Sequence, residues 1–210
     1  MLNCDLRNMR NIFLLVLATL FFACGGTESN DKPSYHPDAM SLQIEAMKVY
    51  HRKPDSALAV LDKAIQMDES YYLAYNSKAL VYITKQEYDR AIAELYKSLR
   101  WNDSQAEVHL QLGVLHDEVG AAEPAQDAYQ EALALFDMRI AEGSDFILQD
   151  RTNRAVSLIM TGQEEKGVSL LQSLHNENGK DPLLTKIMSE VSDSTPLTKA
   201  YLVELLFLDN

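Results

Sequence analysis

Apolar residues recur along most of this chain at helical spacing, broken every dozen or so positions by short polar turns. In the stretch from Tyr72 to Leu99, Tyr75, Ala79 and Tyr82 mark one helix face, and Gln86-Glu87 interrupts it. Ala91, Leu95, Ser98 and Leu99 then mark a second face. Steps of three and four residues predict an amphipathic helix on each side of a tight turn. The same block returns: Ala57–Ile65, Ala91–Leu99 and Ala125–Leu133 are look-alike segments whose first residues are 34 apart, and 34 again. A fixed period of this size marks a solenoid, whose units bury their apolar faces only by stacking. Ala79 and Ala91 have a physical reason, since two antiparallel helices approach closely only where side chains are short.

This pattern resembles the tetratricopeptide repeat family, built of 34-residue helix-turn-helix units with small residues and aromatics at fixed places. Counted from Tyr72, the second unit sets Tyr75, Ala79, Tyr82, Tyr88 and Ala91 on those places, and the third sets Leu112-Gly113, Ala125, Tyr129 and Ala132. In the first unit Glu45 stands where a small residue is expected. A shift by one brings Ala46 there and predicts a shortened turn at Arg52-Lys53-Pro54. The resemblance implies an all-α fold, a right-handed superhelical solenoid of such repeats with C-terminal capping helices. Four units are expected, at residues 38–71, 72–105, 106–147 and 148–178, with the caps at 179–210. The fourth is out of register, because Gly167 follows Ala125 by 42 residues. The surplus falls in Ala134 to Ser144, which predicts a lengthened helix over Glu123–Glu142 that projects as a ledge and stops at Gly143. Ser104-Gln-Ala-Glu107 reads as a capping box. Thr195-Pro196 opens a last, Leu-rich helix that either caps the array or plugs its groove.

The N-terminus departs from this rhythm. Ile12 to Ala23 is apolar except for Thr19 and is preceded by Arg7 and Arg10. A membrane span needs about 20 such residues, so the run fits a signal-peptide core, with Met1 or Met9 as the start. Phe21-Phe22-Ala23-Cys24-Gly25-Gly26 resembles a bacterial lipobox, which implies residues 1–23 as a lipoprotein signal peptide and Cys24 as the acylated first residue. Residues 24–37 then form a flexible tether, rich in Gly, Ser, Asn and Asp. Gly25 resembles the outer-membrane sorting pattern, so the expected address is the cell envelope, lipid-anchored, on the outer membrane facing the periplasm.

Charge and chemistry narrow the function further. The whole chain carries a net −12. Without residues 1–23 it holds 17 basic and 30 acidic residues, a net of −13. Phosphate contact needs clustered Lys and Arg, so nucleic acid is not expected. Without residues 1–23 the sole cysteine is Cys24, which leaves no intrachain disulfide. His109 and His116 lie seven residues apart, about 10 Å along one helix, too far for one zinc ion. No phosphate loop, nucleophile elbow or His-Glu-x-x-His motif occurs. No catalytic residue, metal, cofactor or small-molecule substrate is therefore expected, and the chain does not read as an enzyme.

The family resemblance implies a concave groove lined by the first helix of each unit. Carried onto this chain it holds Leu73, Asn76, Leu80 and Ile83, then Glu107, Leu110, Val114 and Asp117. Gln149, Thr152, Val156 and Ile159 follow from the fourth unit. The expected occupant is an apolar or basic segment of an envelope protein, with Glu107 repelling a carboxylate tail. Two roles remain open: an anchored protein-protein adaptor, or a structural accessory subunit of an envelope assembly or secretion machine.

Overall fold

The computed structural model describes residues 35–179 together with residues 181, 184, 185 and 188, all within the compact unit Tyr35–Asn210. Residues 1–34, which hold the expected signal peptide and most of the expected tether 24–37, lie outside the described residues, as does the last helix. Residues 35–37 are no free tether, since Tyr35 packs on Tyr71 and His36 is bonded to Asp68. The described part is all-helical: α1 (Pro37–Val49), α2 (Pro54–Met67), α3 (Tyr72–Thr84), α4 (Tyr88–Leu99), α5 (Ala106–Glu118), α6 (Ala122–Glu142), α7 (Ile147–Met160) and α8 (Glu164–Glu177). Helices pack in the pairs α1·α2, α3·α4, α5·α6 and α7·α8, and each pair packs on the next. This is a stacked solenoid.

Each pair closes on small residues. Ala46 and Ala57, then Ala79 and Ala91, are at most 1 % exposed, as are Ala125 and Ala155 in the later pairs. Gly113 shows how strict the requirement is. A Cβ there would fall inside the van der Waals envelope of the Tyr129 ring. Tyr129 is 1 % exposed, and its hydroxyl donates to Asp117 Oδ2 at 2.7 Å. Gly167 meets the Ile159 side chain and the Ala155 carbonyl in the same way.

Three of the four turns are built alike. Gln86, Gly120 and Gly162 adopt left-handed φ angles of 59, 76 and 82°. The following N–H then reaches back: Glu87 N to Tyr82 O at 2.9 Å, Ala121 N to His116 O at 2.8 Å, and Gln163 N to Leu158 O at 2.8 Å. This closes orphan carbonyls at the helix end. The first turn differs, because Pro54 starts α2 and follows a Lys53 N–H bonded to Val49 O at 2.9 Å. Ala46 occupies the small position, but the missing residue comes out of the last turn of α1, and residues 50–53 form a four-residue connector.

Two expectations need correction. Ser104 and Glu107 form no capping box, since Gln105 precedes α5 without a side-chain cap. The Ser104 hydroxyl donates to Asn102 Oδ1 at 2.8 Å, while Glu107 is taken by Arg139. The long helix runs for 21 residues to a left-handed Gly143, yet it is no free ledge. Its added turns bury Phe136 completely, in one apolar cluster with Leu110, Val114, Val156 and Met160. Beyond α8, Leu184 is fully buried with Ala155, Leu171 and Leu174.

Short connectors between neighbours make consecutive helices antiparallel, so intra-unit turns share one edge of the array and inter-unit junctions share the other. Side-chain contacts follow the junction edge: His36 N to Asp68 Oδ2 at 2.9 Å, Asn76 Nδ2 to Gln105 Oε1 at 2.8 Å, and Arg151 Nη1 to Glu177 Oε2 at 3.1 Å. On the turn edge Lys85 pairs with Asp55 at 2.8 Å.

Two stability predictions follow from this packing. Gly113→Ala forces a methyl against the Tyr129 ring and is expected to cost about 1–3 kcal/mol in urea denaturation, as over-packing does. His116 is 9 % exposed, with Nε2 at 2.9 Å from the Tyr96 hydroxyl, and burial holds its pKa below 6.5. The unfolded chain takes up that proton at higher pH than the folded one. Stability is therefore expected to fall as pH drops from 6.5 toward the folded pKa, and His116→Gln to remove that part of the loss. Urea midpoints across that range measure it.

Candidate functional site

A cleft of 590 Å³ opens between α1, α3 and α5. Gln43 and Met47 come from α1, Leu73, Asn76, Leu80 and Ile83 from α3, and Glu107, Val108 and Gln111 from α5. Asn102, Ser104 and Gln105 close it at the α4–α5 junction, and Arg139 of α6 closes one end. Leu73 is 38 % exposed, and Met47 and Leu80 are half-buried, so apolar surface faces the opening.

The polar frame is held rigidly. Gln105 Nε2 donates to Ser98 Oγ at 2.9 Å and to the Asn102 carbonyl at 2.8 Å. A carbonyl oxygen only accepts, so the orientation of the Gln105 amide is settled, and its Oε1 is left to face Asn76. Asn76 spends its Nδ2 on that oxygen at 2.8 Å, and its own Oδ1 is buried with no hydrogen-bond partner among the described residues. Across the cleft, Gln43 Nε2 donates to Ser77 Oγ at 2.8 Å.

Arg139 organises the closed end. Its guanidinium grips Glu107 with two bonds of 2.8 and 2.9 Å and pairs on its other side with Asp150, which is completely buried. The bonds to Glu107 push the Arg139 pKa upward, further than burial pulls it down. A cation shared by two carboxylates leaves this end with a net negative charge. A separate buried network sits below the cleft, where Lys78 pairs with Asp62 at 2.8 Å and Glu94 at 3.3 Å. Burial pulls the Lys78 pKa down, but its two carboxylate partners outweigh that and raise it.

Of the expected groove residues, the cleft gathers Leu73, Asn76, Leu80, Ile83 and Glu107. The others are elsewhere. Leu110, Val114 and Val156 are at most 2 % exposed in the cluster that holds Phe136, where no ligand touches them. Asp117 accepts from Tyr129, and Ile159 packs toward the α8 cluster. Of the two further positions, Thr152 is buried and donates to Leu148 O at 2.8 Å, while Gln149 is exposed. The groove therefore ends where the added turns of α6 pack. Arg139 and Gln105 were not foreseen: Arg139 belongs to the surplus residues outside the repeat pattern, and Gln105 to a junction.

A model of the tetratricopeptide repeat matches residues 72–105, the α3–α4 pair and the junction after it. The chain contains a tetratricopeptide repeat, and the stacked pairs above extend the same fold around it. A MamA structure from Desulfovibrio magneticus RS-1 shares this repeat fold at a TM-score of 0.51 and 14 % identity, covering 84 % of this chain and 97 % of that one. The MamA RS-1 ArsTM double mutant superposes at 0.51 and 14 %, covering 82 % and 94 %. An uncharacterized protein of Haemophilus influenzae is 25 % identical over 126 residues, 59 % of this chain and 69 % of its own length. Tetratricopeptide repeat proteins are interaction scaffolds that bind protein or peptide partners.

The Arg139 clamp is testable apart from any ligand. Arg139→Met leaves the buried Asp150 uncompensated and is expected to cost about 3 kcal/mol in urea denaturation. Adding Asp150→Asn to that variant is expected to recover part of the loss.

Proposed function

We propose that this tetratricopeptide repeat protein is an envelope adaptor, held to a membrane by lipid on Cys24, that captures a short segment of a partner protein in the α1–α3–α5 cleft. The observation that carries the reading is the apolar floor of the cleft, where Leu73 is 38 % exposed and Leu80 half-buried beside the charged end at Glu107. A segment that sets apolar side chains on those leucines covers them. The negative end at Glu107 favours a basic side chain there over an acidic one. Support for the anchor is the sequence Ala23-Cys24-Gly25 after a short apolar run. No helix among the described residues is long and apolar enough to cross a membrane.

Site-specific photo-crosslinking in cells tests the capture. A crosslinker at Leu73 is expected to give a discrete partner adduct, and one at the exposed Ala93 of α4 is not. Leu80→Arg, checked for unchanged helicity, is expected to reduce the Leu73 adduct at least tenfold, about 1.4 kcal/mol of binding. An adduct of equal yield in that variant removes the cleft from the account. Metabolic palmitate labelling that persists in Cys24→Ser removes the anchor.

A further inference from the structure

Among the described residues, ten large apolar side chains are exposed. Ile44, Tyr96 and Met138 are scattered along separate helices, whereas four others gather at the helix ends of one edge. Met67 ends α2, Trp101 follows α4, Phe146 stands between α6 and α7, and Ile147 opens α7, all on the junction edge. Phe146 is 68 % exposed, and Met67 and Trp101 nearly half. Among the large exposed apolar residues, the turn edge carries Val119. Phe146 is held outward by a built corner: its N–H donates to Ser144 Oγ at 3.0 Å after the left-handed Gly143. The Arg139–Asp150 pair clamps the helices on either side.

The folded chain begins on this same edge. Tyr35 packs its ring against Tyr71 at 4.9 Å and Tyr72 at 5.8 Å, and His36 is bonded to Asp68. Tyr35 lies eleven residue steps beyond Cys24 in sequence, a reach of at most roughly 40 Å. An anchor on Cys24 therefore tethers the array by the edge that carries its exposed aromatics.

We propose that the junction edge is a membrane-contact rim, which sets Trp101 and Phe146 into the headgroup zone of a bilayer, with Met67 and Ile147 beside them. The proposal rests on the lipid anchor of the preceding section. Amphipathic aromatic rings settle at the membrane–water interface. A short tether keeps the local lipid concentration high, so a contact too weak to recruit the protein is still strong enough to orient it. The flanking charges select the kind of bilayer. Asp68, Glu69, Asp103, Glu142 and Asp145 surround the rim, with Arg100 among them, so it fits a zwitterionic surface and is repelled by an anionic one. Where the acyl chain holds the protein, the rim fixes its tilt and stops it pivoting on the tether.

Trp101 is the single tryptophan of the chain, and Cys24 is the sole cysteine after residue 23, so the molecule carries its own probe and handle. The chain from Cys24 onward, which contains every described residue, is coupled through the Cys24 thiol to a maleimide lipid in phosphatidylcholine vesicles. Trp101 emission is expected to move to shorter wavelength on coupling. It is expected to be quenched about twofold when the acyl chains are brominated, as an interfacial ring would be. Phe146→Ser with Ile147→Ser, at unchanged helicity, is expected to weaken the quenching, as is replacing a third of the lipid with phosphatidylglycerol. Emission that stays unshifted and unquenched in the coupled protein overturns the rim and leaves the edge as a protein-facing surface. Because coupling is chemical, a failure of palmitate labelling in cells sinks the natural anchor without altering this readout.

Discussion

The folded body depends on two antiparallel helices coming close enough for alanine or glycine to be the contact. Ala46 with Ala57 and Ala79 with Ala91 are all but sealed from solvent, and at Gly113 even a methyl group has no room beside Tyr129. Every other feature inherits that distance. It lets the larger side chains of one pair reach the next, which turns separate hairpins into continuous apolar clusters. It also forces the tight left-handed turns, because helices that close together are joined by only three residues at Gln86, Gly120 and Gly162.

What was legible in the sequence was what repeats. Small residues 34 apart gave the pairing, the displaced Ala46 gave the irregular first unit, and the slip before Gly167 gave the long helix almost to the residue. The direction in which that extension would pack carries no periodic signal. Phe136 and Arg139 lie outside the pattern, and only in three dimensions does one join Val114 and Val156 while the other reaches 32 residues back to Glu107. Leu73, Asn76 and Leu80 line the cleft because α3 lies where no added turn covers it. Leu110, Val114 and Val156 were misread for the same physical reason: a position that faces the groove in a regular array faces protein in this one.

Polar groups at the junctions show how an acidic chain keeps its buried charges tolerable. Asp150 is completely buried and Glu94 nearly so, and each is matched by a cation from another helix, Arg139 and Lys78. Burying a lone carboxylate is costly, whereas a paired and hydrogen-bonded one ties neighbouring units into a single register. Such links hold adjacent repeats that otherwise touch mainly through nonspecific apolar contact. They also make each junction depend on a particular partner, so the units are not interchangeable modules.

The added turns of α6 give the cleft an end. An open solenoid groove accepts a strand of any length and reads it unit by unit in either sense. Here the floor begins at α1 and stops at a charged wall made by Arg139 and Glu107. A bound segment would be gauged against that wall, one of its ends meeting charge and the other meeting solvent beyond Gln43. On the proposed capture, the lengthened helix would work as a stop on a ruler, setting both how much of a partner is read and which way the partner runs.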